Sequence, residues 1–98
     1  MPEPHDLSNT VKQAIHEIVQ YMTQHPEARD TLAGIRDWWL PAGNSYTSAE
    51  LDEALAALIE RGWLVKYTLV KQTVVYGVTE AGARQGSKFL QSETDQES

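Results

Sequence analysis

The chain has 98 residues, enough for one domain with a modest core, and no cysteine, which excludes disulfides, thiolate metal sites and cysteine nucleophiles. Its net charge of −6 is carried mostly by the ends: Glu3, Asp6, Glu93, Asp95 and Glu97 lie in two tails, and all 8 bases lie between them. The body between the tails is therefore nearly neutral, which is not the basic footprint of a nucleic-acid binder, and no apolar run approaches the ~20 residues of a membrane span.

Met1-Pro2-Glu3-Pro4-His5-Asp6 lacks the basic segment that opens a secretory signal, so a cytoplasmic location is expected. Residues 1–8, with their prolines and acids, read as a disordered lead-in. Ser8, Asn9 or Thr10 is placed to cap a first helix, in which Val11, Ala14, Ile15, Ile18, Val19 and Met22 recur at helical period. His25-Pro26 ends it, because proline disfavours helical backbone at the residue before it.

A second helix is expected from Asp30 or Thr31 to about Leu40, with Leu32, Ile35 and Trp39 inward. Trp38 and Trp39 are adjacent, hence about 100° apart on a helix, so both cannot be central to one small core. Trp39 is assigned to the core. Trp38 is expected to be partly exposed against the loop through Tyr46, as core packing or as an interface anchor.

The strongest local signal is Thr47-Ser48-Ala49-Glu50, whose spacing fits a capping box, followed by Leu51, Ala54, Leu55, Leu58 and Ile59 on one apolar face. Gly62 stands where a helix end requires left-handed backbone. Two strand-like runs follow, Trp63 to Val70 and Thr73 to Val78. Pairing Val70 with Thr73 around Lys71-Gln72 would place Val65, Tyr67, Leu69, Val74, Tyr76 and Val78 on one face, and predicts a loop of even length. Thr79 can cap a last helix from Glu80 to about Gln91, where Gly82 and Gly86 share one side open to close approach by a neighbour. The residues from 92 to 98 read as an acidic disordered tail, leaving 9–91 as the domain.

Two segments, Ala54 to Leu64 (ALAALIERGWL) and Tyr76 to Gly82 (YGVTEAG), carry a family likeness. The order helix, helix, helix, hairpin, helix resembles the winged helix-turn-helix superfamily, and the second segment is similar to a junction found in bacterial regulators of the MarR and PadR kind. The resemblance implies an α+β winged-helix fold: a three-helix core, a two-stranded hairpin wing and a C-terminal helix. By analogy it also implies a DNA-binding transcription regulator whose third helix enters the major groove.

The residues do not suit that role. The outer side of the third helix offers Glu50, Asp52, Glu53, Ala56, Ala57 and Glu60, where groove readers use Arg, Lys, Asn or Gln. These acids are either a solvated helix face or a surface free to meet a protein. Around Lys71-Gln72 the hairpin carries Leu69, Val70, Val74 and Val75, which either pack on the helices or form a protein interface. The dispersed bases leave Arg36, Lys66, Lys71 and Arg84 as the candidate DNA contacts. His5, His16 and His25 do not converge, and no catalytic or metal motif occurs, so neither enzyme activity, metal nor cofactor is expected.

The leading expectation is a non-enzymatic protein-interaction or oligomerisation module, with a homodimer or another protein as partner. Its surface would be Trp38, Leu69, Val70, Val74 and Val75, extended by the small-residue side of the last helix. The alternative is a small DNA-binding transcription regulator. No membrane partner is expected.

Overall fold

A computed structural model describes residues 9–96, with side-chain environments through residue 92. The expectations for residues 1–8 and for 97 and 98 lie outside the described residues. The fold is α+β: four helices and a three-stranded antiparallel sheet. No helix of the described residues is long and apolar enough to cross a membrane.

Helix α1 (Asn9–Gln24) buries the six residues of its apolar stripe, Val11, Ala14, Ile15, Ile18, Val19 and Met22. Each large side chain among them contributes about 1.5–3 kcal/mol on burial. Strand β1 (Arg29–Asp30) follows, and its short span carried no legible pattern in the sequence. Thr31 then caps helix α2 (Leu32–Gly34), its hydroxyl accepting from the Gly34 amide at 3.2 Å.

Residues Ile35–Trp39 continue α2 as a π-helical turn that buries Ile35 and Trp39. Leu40 leaves the helix in extended backbone, φ −110° and ψ 159°, as the following Pro41 demands. Helix α3 (Ser48–Glu60) begins with the capping box in full: the Thr47 hydroxyl accepts from the Glu50 amide, and the Glu50 carboxylate accepts from the Thr47 amide. Its end is a Schellman motif. The Gly62 amide bonds the Ile59 carbonyl, the Trp63 amide bonds the Leu58 carbonyl, and Gly62 has φ +80°.

Strands β2 (Leu64–Thr68) and β3 (Val74–Val78) form the hairpin, and β1 pairs on the far side of β3, giving the order β1-β3-β2. The register differs from the expected one by one residue. Thr68 lies opposite Val74 and Leu64 opposite Val78, so the turn Val70–Gln72 has three residues, not two or four. On β2 the alternating set Val65, Tyr67 and Leu69 is more apolar than Leu64, Lys66 and Thr68, so alternation alone points to the wrong face. Burial of Leu64 beside Trp63 and Tyr76 decides it.

Helix α4 (Glu80–Gln96) runs past the expected end at Gln91, so residues 92–96 are helical and not a disordered tail. Thr79 links it to the body, its hydroxyl accepting from the Gly82 amide at 2.9 Å and donating to the Gly62 carbonyl at 2.7 Å. The glycine side of α4 is occupied by the chain itself. A Cβ on Gly82 would come within 2.2 Å of the Trp63 carbonyl oxygen, and one on Gly86 would press on Thr23 and Val19 of α1. That side is therefore no outside interface.

Candidate functional site

Register decides which hairpin residues face where. Leu64, Lys66, Thr68, Val74, Tyr76 and Val78 share the inner face, and Val65, Tyr67, Leu69, Val75 and Gly77 the outer one. The predicted set is thus divided: Val74 turns inward toward α3, whereas Val75 lies opposite Tyr67 on the outer face. Gly77 makes room for a ring, since a Cβ there would sit 3.0 Å from Tyr67 Cε2 and 3.4 Å from Arg29 Cγ. Tyr67 therefore leans across Gly77 toward the Arg29 guanidinium, 6.0 Å from its ring centre.

At the hairpin tip Leu69 is 53% and Val70 84% exposed. The turn holds Lys71 and Gln72 at φ 64° and 63°, left-handed backbone that non-glycine residues adopt at a cost of roughly 1–2 kcal/mol each. The hydrogen bonds Leu69 N–H to Thr73 O (2.7 Å) and Gln72 N–H to Leu69 O (3.2 Å) hold this tip closed. Trp38, on the π turn, is 74% exposed. The Tyr46 hydroxyl donates to Glu17 Oε1 at 2.7 Å. Burial, then the bond to Glu17, then the charges of Glu17 and Glu50 push the Tyr46 phenol above its ordinary value of 10.0.

A groove that sequence reasoning did not anticipate lies between α3 and the inner face of the hairpin. Leu32, Leu55, Ala56, Ile59, Val74 and Tyr76 line it, with Asp52 on the helix rim and Lys66 on the sheet rim. Burial first, and then the Asp52 charge, raise the Tyr76 hydroxyl above its usual titration range. The alternation of Ala56 with the acids of α3 was the sequence signal for this groove, but locating its far wall required the register.

Along the outer side of α3, Asp52, Glu53, Ala56 and Glu60 are exposed. Glu50 is not part of that row in the same way, because its carboxylate is committed to the cap. The four candidate DNA contacts sit on four different elements: Arg36 on the π turn, Lys66 on β2, Lys71 in the hairpin turn and Arg84 on α4. Arg36 is engaged locally, donating from a terminal nitrogen to Ser48 Oγ at 2.9 Å, while its Nε is buried without a partner.

Among the described residues, His16 and His25 lie beside aromatic rings. His25 stacks on Tyr21 at 4.2 Å, Tyr21 stacks on Trp39 at 4.9 Å, and His16 lies 6.5 Å from Phe89 between ring centres. Glu17, next to His16 in the chain, accepts from the Tyr46 hydroxyl. No cluster of three His, Asp or Glu side chains able to hold a metal ion occurs among the described residues. In comparisons with protein-family models, curated proteins and solved structures, no match to this chain is found.

Proposed function

We propose that this chain is a non-enzymatic winged-helix domain that acts as a protein-interaction module and self-associates through its hairpin tip. The order of elements supports the fold. A short strand between the first two helices adds to the far side of a hairpin that follows the third helix, in the order β1-β3-β2. One observation carries the function: Leu69 and Val70 stand in water at the hairpin tip, where a nucleic-acid reader would place bases. Exposed aliphatics at a turn are a liability unless another surface covers them. Trp38 offers a second apolar anchor on a separate element. The acids of α3 favour the same reading, because Asp52, Glu53 and Glu60 repel phosphate and offer no donor to a base edge.

Light scattering across a concentration series tests it. The full chain forms a dimer as concentration rises, and Leu69→Ser with Val70→Ser leaves a folded monomer by circular dichroism. A wild-type monomer at every concentration would remove self-association. Tight duplex-DNA binding that weakens steeply with salt would replace the reading with a transcription regulator using Arg36, Lys66, Lys71 and Arg84.

A further inference from the structure

We infer that the groove between α3 and the inner face of the hairpin receives a basic amphipathic helix from a partner protein. This rests on the reading of the chain as an interaction module, and adds a second surface with a defined partner chemistry. The floor is apolar and drawn from three parts of the chain: Leu32 from α2, Ile59 from α3, and Val74 and Tyr76 from β3. Its volume, about 420 Å³, has room for a few side chains. From Asp52 to Ile59 the helix wall spans seven steps of the α-helical rise, roughly 10 Å, which matches contacts at i, i+3 or i+4, and i+7 of a docked helix.

Two features of α3 select the occupant. Ala56 is small and exposed, so a partner backbone can approach the rim closely. Asp52 lines the groove, and Glu53 and Glu60 are exposed on α3 beyond its rim; none of the three has an ion-pair partner among the described residues, whereas the sheet wall presents only Lys66. The charge asymmetry calls for a helix whose lysines or arginines flank its apolar stripe on the α3 side. The same acids reject a nucleic-acid strand. Electrostatic complementarity of this kind sets orientation and partner choice more than raw affinity.

The test is fluorescence anisotropy of the full chain with a labelled leucine–lysine peptide carrying leucines at i, i+3, i+4 and i+7. Three comparisons accompany it: a scrambled peptide of the same composition, a leucine–glutamate counterpart, and groove variants of the protein. Binding should fall about tenfold or more with the scrambled and glutamate peptides, and likewise with Ala56→Arg and with Asp52→Asn, Glu53→Gln and Glu60→Gln combined. Lys66→Ser, which removes the like charge, should tighten it several-fold. Equal binding of the scrambled peptide, indifference to Ala56→Arg, or no binding of the leucine–lysine peptide each overturns the inference. Leu69→Ser with Val70→Ser should leave peptide binding intact while abolishing self-association, so failure of the groove and failure of the tip are read separately.

Discussion

Single side chains carry unusual responsibility where α3, the hairpin and α4 meet. Gly82 is the tightest such point, because any side chain there collides with the Trp63 carbonyl, a backbone atom that cannot swing aside. Gly82→Ala should lower stability by about 2 kcal/mol even after the gain in helix propensity, measured as the urea midpoint. Tyr46 gives a pH-dependent counterpart. Its phenol is pushed above the ordinary 10.0 by burial and by Glu17, so the folded state holds its proton more tightly than the unfolded chain. The stabilisation is complete below about pH 10 and is lost as pH rises from there toward the folded value. Tyr46→Phe should therefore flatten the fall in Tm above pH 10, at the cost of about 1 kcal/mol at neutral pH for the lost bond to Glu17.

Elements were legible in the sequence to the degree that their signals were local. α1 and α3 follow from six and four buried apolar residues at helical spacing, and the cap and stop of α3 from Thr47, Glu50 and Gly62. β1 was not legible, since Arg29-Asp30 has neither alternation nor length and owes its extended form to β3. The hairpin register was misassigned because Val65, Tyr67 and Leu69 make a more continuous apolar face than Leu64, Lys66 and Thr68, and long-range burial of Leu64 outweighs that local pattern. That error also concealed the groove, because Lys66 joins Val74 and Tyr76 on the face toward α3 only in the observed register. Exposure of Val70 and Trp38 could be suspected from the sequence, as apolar residues with no place in a periodic stripe, whereas Leu69 sat on the expected apolar face. At this scale, α3 itself can be re-addressed. Glu53→Lys with Glu60→Lys changes exposed positions while leaving the Glu50 cap alone. These changes should create salt-sensitive affinity for duplex DNA, read by anisotropy at low and moderate salt. Unchanged affinity would mean that this face never approaches the duplex.

For the molecule as a whole, the placement of charge and apolar surface matters more than their totals. A body with a nearly balanced charge separates an acidic helix face from an aliphatic turn, and the two surfaces call for different partners. Self-association at the tip and capture of a basic helix in the groove can therefore be changed one at a time.

The Thr79 hydroxyl adds a consequence for how such a chain diversifies. With the Thr79 amide on the Trp63 carbonyl at 3.0 Å and its side chain on the Gly62 carbonyl, the polypeptide departs from the body and rejoins it at one fastened point. Between these points Leu64 and Tyr76 are buried in the core, and only the tip beyond Thr68 and Val74 is an excursion. Insertions, deletions or grafted recognition sequences at Val70–Gln72 lengthen or shorten that excursion without transmitting displacement to α4 or to the interior beneath it. The hairpin tip is thus an exchangeable cassette, and partner choice can drift there while the strands beneath it and the rest of the domain stay under the separate constraint of packing.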